Sequence, residues 1–223
     1  MRRLAILAAS VAVVALTPLA ANAAFTPISP APSGELSLLG TDGILDTLYG
    51  LGNLERISDS FVGDQLWELS GAGNVRVVAK FAGFSQDFGV IPASTGGTFT
   101  SLLTQIANIN PLVDPPGLPV ALPALAGPFR FGDDPSGAPL WSSRQSDNSD
   151  GALDHMVAWR ITTTGNFVLA WEDLARLGDK DYNDLVVEVH GAAPASPESG
   201  SLLLIGAGLV GIGVAARRQG RRK

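Results

Sequence analysis

The sequence predicts an all-β fold: an antiparallel β-sandwich of the jelly-roll type with one or two short helices. Short runs rich in Val, Phe and Trp recur between residues 65 and 190, and most alternate apolar with polar side chains. Gly, Asn, Ser or Pro bounds each run, as in strands joined by tight turns. Residues 108–128 contain many prolines, which is typical of an irregular crossover or an edge segment. An irregular α+β domain is the alternative.

Residues 24–64, a Pro- and Ser-rich leader, precede these strands and contain one candidate helix. In residues 41–49 a capping threonine precedes three apolar side chains at helical spacing, and glycines follow directly. We therefore expect a short helix here and a leader that lies over the surface of the β-sandwich.

The β-sandwich is predicted to occupy residues 65–190. Residues 99–109 fit either a helix or a buried strand, and the turn sequence TTTGN at residues 162–166 predicts a hairpin. The tryptophans of the strand-like runs are expected in the core and are Trp67, Trp159 and Trp171. The predicted strands are residues 65–70, 74–83, 87–91, 128–132, 155–162, 166–172 and 184–190.

The first 23 residues have the parts of a secretory signal peptide. Arg2 and Arg3 precede an apolar stretch at residues 4–20, and small residues allow cleavage after Ala23. An uncleaved membrane anchor is the alternative. We expect the protein to be exported through the inner membrane.

Charge is distributed unevenly along the chain. Residues 24–196 carry 8 basic side chains against 20 acidic ones, because the other basic residues lie near the two ends. Such a surface repels nucleic acid and attracts cations, so we expect no nucleic-acid partner. The chain has no cysteine, which excludes disulfides, thiolate metal sites and thiol catalysis.

The C-terminal segment has three parts and follows a predicted linker at residues 191–196. A short motif comes first, then an uncharged apolar stretch at residues 201–216, then an Arg-rich cluster within residues 197–223. The apolar stretch is slightly shorter than the roughly 20 residues that span an average bilayer, but it suits a thin one. The motif consists of Pro197, Glu198 and Ser199.

This three-part end resembles the PEP-CTERM sorting signal of Gram-negative bacteria that produce exopolysaccharide. In that family a Pro-Glu-Pro motif, a transmembrane helix and an Arg cluster are recognised by exosortase, a membrane protease-transpeptidase. Here Ser199 replaces the second proline. The resemblance implies transient anchoring in the inner membrane, cleavage near Pro197, and release or attachment at the cell surface. A permanent tail anchor is the alternative.

A second resemblance covers residues 66–189. The sequences EDL at residues 172–174 and GDKDYNDL at residues 178–185 resemble the C-terminal signature of an uncharacterised domain found in PEP-CTERM proteins and bacterial adhesins. The segment DHMV at residues 154–157 is similar to that family's strand opening. The resemblance implies an extracellular β-sandwich and supplies no activity.

The loop between the last two predicted strands is rich in oxygen ligands. Asp179, Asp181 and Asn183 alternate along the chain, so an extended or gently turning backbone would place them on one side. Calcium takes about six to eight such carboxylate or amide oxygens. The EF-hand pattern is excluded, because Asp184 stands where a glycine is required and His190 where a glutamate is. Further candidate ligands are Asp184, Glu172, Asp173 and Asp154, with Asp147 and Asp150 beside the last of these.

The alternative for this loop is that its acidic and amide side chains cap turns and accept hydrogen bonds from local amides. So many like charges close together without a counterion would be unfavourable, which favours a cation. The sequence therefore predicts a calcium site.

No catalytic constellation rises above background in the sequence. The two histidines, His155 and His190, accompany neither a GxSxG nor an HExxH motif. Trp141 lies in a predicted loop and is a candidate for stacking on a sugar ring, with a core position as the alternative. We expect a non-enzymatic surface or matrix protein that is stabilised by calcium and binds exopolysaccharide. The alternatives are a structural envelope protein without a small ligand and a secreted carbohydrate-active enzyme with a carboxylate pair.

Overall fold

A computed structural model describes residues 25–60 and 63–195. The predicted signal peptide and the predicted sorting tail, with Pro197, Glu198 and Ser199, lie outside the described residues. The described part is all-β, with one antiparallel sheet of 10 strands. The strands are β1 (Leu54–Arg56), β2 (Trp67–Ala79), β3 (Gln86–Pro92), β4 (Thr100–Ile106), β5 (Val120–Ala121), β6 (Phe129–Pro135), β7 (Trp141–Ser142), β8 (Met156–Ile161), β9 (Phe167–Trp171) and β10 (Leu185–Pro194). The helices are α1 (Ile44–Tyr49) and single 3₁₀ turns at Leu51–Asn53, Gln145–Asp147 and Ala175–Leu177.

Antiparallel pairing joins the strands in the order β1-β8-β9-β10-β2-β6-β3-β4, with β5 beside β2 and β7 beside β6. β8 and β9 form the predicted hairpin, in which the backbone N–H of Ile161 donates to Asn166 O at 2.8 Å. Residues 99–109, which fitted either a helix or a strand, contain β4. The two strands predicted at residues 65–83 are one long strand, β2, which pairs with β10 on both sides of its glycines.

Period-two alternation along the strands gives the sheet two buried faces. In β9, Phe167, Leu169 and Trp171 pack into one hydrophobic core, while Val168 and Ala170 pack into the other. The first core is rich in aromatic side chains, and the second is covered by the apolar side of α1. Both cores therefore follow from the alternation that is visible in the sequence.

The sheet folds back on itself, because strands far apart in its order touch through aromatic side chains. The ring of Phe88 in β3 lies 6.1 Å from that of Trp171 in β9, with the planes at 73°. Trp67 packs edge-on against Phe167 at 5.2 Å. Trp67, Trp159 and Trp171 are all buried, which confirms their predicted core positions.

The structure moves two predicted boundaries. Residues 25–60 are not a separate leader, because β1 pairs with β8 and the fully buried Leu38 packs into the second core. The predicted linker is strand over residues 191–194, where Ala192 pairs with Leu69 of β2. Within the described ranges, no helix is long and apolar enough to cross a membrane, and the apolar stretch at residues 201–216 lies outside them.

Candidate metal centre

The predicted acidic loop joins β9 to β10 through a strongly turned backbone. Its non-glycine residues with positive φ are Arg176, Leu177, Lys180 and Tyr182. Lys180 and Tyr182 alternate with the acidic residues, so the backbone from Asp179 to Asn183 is turned and not extended. The tight turns nevertheless bring the carboxylates of Asp179 and Asp181 together.

Five carboxylates of this segment converge in two overlapping groups. Glu172, Asp179 and Asp181 each place one oxygen within 4.8 Å of the others, and Glu172, Asp173 and Asp184 do the same. Glu172 belongs to both groups, so the five residues form one acidic-loop cluster. Glu172, Asp173 and Asp181 are buried, whereas Asp179 is exposed, so the cluster extends from the interior to the solvent.

Several oxygens at this cluster lack hydrogen-bond donors. Glu172 Oε2 and Asp181 Oδ2 are buried and accept no hydrogen bond from the described residues. The same holds for Asn183 Oδ1, while its Nδ2 donates to Glu35 Oε2 and Leu36 O, both at 3.1 Å. Buried anionic oxygens without a donor or counter-charge are costly, so their positions favour a cation.

Lys80 is buried beside the cluster but does not pair with it. Its Nζ donates to Ala82 O at 3.3 Å, Phe84 O at 2.8 Å and Asn108 Oδ1 at 2.9 Å. These neutral acceptors occupy all three N–H groups of the ammonium. The ion pairs of the described residues do not include Lys80, so the cluster keeps an excess of negative charge.

Burial and mutual repulsion raise the pKa values of the cluster. Burial, followed by the charges of Asp184 and Asp179, raises the pKa of Glu172 to about 9. Burial, followed by the charge of Asp173, raises the pKa of Asp184 to about 7. Burial, aided by Asp179, also raises the pKa of Asp181 to about 7 and that of Asp173 to about 6. Without a cation, these carboxyl groups therefore stay protonated at pH values at which exposed carboxyl groups are ionised.

Two buried polar residues from the other half of the sheet lie near the cluster, and neither was predicted from the sequence. Gln86 of β3 donates from Nε2 to Asp173 Oδ2 at 2.9 Å. Asp133 of β6 is fully buried, and neither of its carboxylate oxygens has a donor among the described residues. Burial, followed by the charges of Asp173 and Asp184, raises the pKa of Asp133 well above its usual range.

A sequence signal for these two residues did exist. Gln86 stands two positions from Phe88, and Asp133 stands two positions from Phe131, so both occupy inward-facing positions of aromatic strands. A polar side chain at such a position needs a buried partner.

The side chains of the other candidate ligands do not join the acidic-loop cluster. The carboxylate of Asp154 belongs to a separate group of aspartates, and only its backbone oxygen meets the loop, accepting from the Tyr182 hydroxyl at 2.6 Å. Asp147 forms an ion pair with Arg130, and Asp150 Oδ2 accepts a hydrogen bond from a loop backbone N–H at 2.7 Å. The prediction that Asp154 joins the acidic loop is therefore wrong.

Trp141 is not available to a sugar. It lies in β7, which pairs with β6, rather than in a loop, and its side chain is fully buried in the first core. Its Nε1 donates to Asp173 O at 2.7 Å, and its ring stacks on His155. The predicted stacking role is wrong for this reason. His155 is fully engaged as well, with Nδ1 lying 2.7 Å from Glu172 O.

Comparison with known protein families gives one match. Residues 123–192 match the model of a domain of unknown function, DUF4114. The matched segment contains strands β6 to β9, most of β10 and the whole acidic loop. Searches of the curated proteins and of the solved structures gave no match.

Proposed function

We propose that this chain is an exported, non-enzymatic surface or extracellular-matrix protein whose acidic-loop cluster binds calcium. One observation carries the proposal: buried carboxylate oxygens, including Glu172 Oε2 and Asp181 Oδ2, converge where the described residues supply no donor. Lys80 lies nearby but donates to neutral oxygens. A divalent cation would remove the repulsion that burial imposes on these groups.

The ligand chemistry favours calcium over other metals. The cluster offers carboxylate oxygens and, from Asn183, an amide oxygen, all of them hard ligands. Zinc and copper prefer imidazole or thiolate, but the chain has no cysteine, and the ring nitrogens of His155 already face oxygen atoms. Calcium also tolerates the irregular geometry of a turned loop, whereas magnesium demands a near-ideal octahedron.

Calcium would act as a structural crosslink. Glu172 and Asp173 follow β9, Asp179 and Asp181 lie in the loop, and Asp184 precedes β10, so one centre would fix the whole connection. Gln86 and Asp133 approach from the other half of the sheet. We infer that the two halves form an antiparallel sandwich of the jelly-roll type and that calcium holds their shared edge.

The terminal segments support the proposed destination. The signal peptide would export the chain, and the motif Pro197-Glu198-Ser199 with the apolar stretch at residues 201–216 would direct it to exosortase. Glu198→Ala should then leave the tail attached to the inner membrane in an exosortase-producing host. Immunoblots of membrane and medium fractions test this, and equal release of both variants would contradict sorting at this motif.

Polysaccharide binding is the less supported part of the proposal, because Trp141 is buried. An open cleft of about 630 Å³ offers the chemistry that sugar hydroxyls require, since its lining includes Glu55, Arg160, Thr164 and Asn166. The same burial favours a second candidate, a structural envelope protein without a small ligand. Exopolysaccharide retention by the purified chain that Arg160→Ala reduces would support binding at the cleft. No retention by the unsubstituted chain would support the structural protein.

Direct calcium titration tests the metal centre. The full-length chain, purified in mild detergent and stripped of metal, should bind calcium in isothermal calorimetry. Asp181→Asn should weaken that binding at least tenfold, because it removes an anionic buried ligand while keeping its shape. Asp42→Asn is the matched control, since Asp42 is exposed and asparagine tolerates its φ of 61°. Equal affinity of the two variants would overturn the proposed site.

A further inference from the structure

A second group of carboxylates lies outside the acidic-loop cluster. Asp59 and Asp64, from the connection between β1 and β2, meet Asp154, which precedes β8. One oxygen from each lies within 4.8 Å of the others, and all three side chains are buried. We call these residues the Asp64 cluster.

Asp64 is the residue that most favours a bound ligand, because its buried carboxylate lies within the group and has no hydrogen-bond partner. The residue is 0% exposed, and neither Oδ1 nor Oδ2 has a hydrogen-bond partner on any other described residue. A buried carboxylate normally accepts two or more hydrogen bonds or faces a cation. The two unpartnered carboxylate oxygens of Asp64 therefore favour a bound cation.

Charge balance leads to the same ligand. Arg56 neutralises Asp59, with Nη2 lying 3.0 Å from Asp59 Oδ2. The ion pairs of the described residues include neither Asp64 nor Asp154. With all three carboxylates ionised, the guanidinium leaves two negative charges, which a single divalent cation would neutralise.

The N-terminal segment is attached to this cluster. The backbone N–H of Thr26 donates to Asp59 Oδ2, and its hydroxyl donates to Asp154 Oδ2 at 3.0 Å. Thr26 O in turn accepts from Arg56 Nη2 at 2.9 Å, and the Arg56 guanidinium lies over the ring of Phe25 at 4.9 Å. An ion that fixes these carboxylates would therefore also fix the position of residues 25 and 26.

We propose that the Asp64 cluster is a second divalent-cation site, independent of the acidic loop, and that its ion holds the N-terminal segment to the sheet. Carboxylates are its described ligands, so the site takes a hard cation such as calcium. Two of the carboxylates come from the β1–β2 connection and one from the segment before β8. The ion would thus join two parts of the chain that are distant in sequence.

Calcium stoichiometry by equilibrium dialysis tests this site on the metal-stripped full-length chain. Asp64→Asn should bind one calcium ion fewer per chain than the unsubstituted protein. Asp181→Asn should keep that ion, and Asp42→Asn should bind as many ions as the unsubstituted protein. Circular dichroism of each variant establishes that it is folded.

Hydrogen exchange gives a second readout that does not depend on the count. Calcium should slow amide exchange at Thr26 in the unsubstituted chain and in Asp181→Asn, but not in Asp64→Asn. The second site is refuted if Asp64→Asn binds as many calcium ions as the unsubstituted chain. It is also refuted if calcium leaves the exchange rate of the Thr26 amide unchanged in every variant. Loss of binding confined to Asp64→Asn would instead refute the acidic-loop site and leave this one standing.

Discussion

The indole of Trp141 stacks on the imidazole of His155, with ring centroids 3.7 Å apart and planes only 4° from parallel. Both side chains are fully buried, and each also contacts the backbone at the start of the acidic loop. Trp141 Nε1 donates to Asp173 O, and His155 Nδ1 lies 2.7 Å from Glu172 O. The pair therefore supports the two residues from which the acidic-loop cluster begins.

Replacing Trp141 with alanine should destabilise the fold by about 3–5 kcal/mol, because it removes a large buried aromatic side chain. Urea denaturation of the full-length chain measures the change in the free energy of unfolding. Leu118→Ala is the control, since Leu118 is 84% exposed and should change stability by no more than about 0.5 kcal/mol. A loss below about 1 kcal/mol for Trp141→Ala would contradict the buried position.

Stability without calcium should fall as the pH rises. Burial raises the pKa of Asp181 and Asp184 to about 7 and of Asp173 to about 6, all above their unfolded values near 4. The folded state therefore binds more protons than the unfolded state between about pH 4 and 7, and stability declines across that window. Thermal melts in EDTA should show a higher Tm at pH 5 than at pH 8.

In calcium the pH dependence should weaken or reverse, because the cation replaces the protons and binds only the ionised carboxylates. The calcium-induced rise in Tm should therefore be larger at pH 8 than at pH 5. A calcium effect that is equal at both pH values would be inconsistent with cation binding at these groups.

Gly178→Ala should weaken calcium binding, because the added methyl group would displace the Glu172 carboxylate as well as strain the backbone. Gly178 has a φ of 32°, and an added Cβ would lie 2.7 Å from Glu172 Oε1 and from the Leu174 side chain. The backbone effect alone should cost about 1–3 kcal/mol. Gly165→Ala is the matched control, because Gly165 also has a positive φ but open space around its Cβ position. Calorimetry should show reduced calcium affinity only for Gly178→Ala.

Asp133→Asn should affect the calcium-free and calcium-loaded proteins in opposite directions. Asparagine needs neither a charge nor a bound proton at this buried position without donors, so Tm in EDTA should rise by a few degrees. The same change removes attraction for the cation, so the calcium-induced shift should shrink. The neighbouring Asp134 is exposed, and Asp134→Asn should produce neither effect. If Asp133→Asn and Asp134→Asn show the same Tm in EDTA and the same calcium-induced shift, Asp133 does not act on the acidic-loop cluster.

Much of the fold was predictable, because strand alternation records which side of a sheet is buried. β9 shows this directly, since Phe167, Leu169 and Trp171 face one core while Val168 and Ala170 face the other. The boundary at residue 190 was misplaced, because small residues without strand propensity, such as Ala192, continue β10 by pairing with β2. Pairing across the sheet is a long-range effect that local composition does not contain.

The candidate site was predictable only within its own loop. The density of acidic residues indicated Glu172, Asp173, Asp179, Asp181 and Asp184, and the structure brings these five carboxylates together. Membership of Asp154 could not be decided, because its side-chain direction depends on how β8 meets the β1–β2 connection. The burial of Trp141 was equally hidden, since a two-residue strand carries almost no sequence pattern.

Thermal unfolding of the full-length chain in millimolar calcium and in EDTA tests the central claim most directly. Calcium at about 100 times its Kd adds roughly 2.7 kcal/mol, which should raise Tm by about 5–11 °C. We expect this shift for the unsubstituted chain and for Asp42→Asn, and a smaller one for Asp181→Asn, which keeps the ion of the Asp64 cluster. Superimposable curves in calcium and in EDTA would contradict it, and the acidic side chains would then be turn-capping groups.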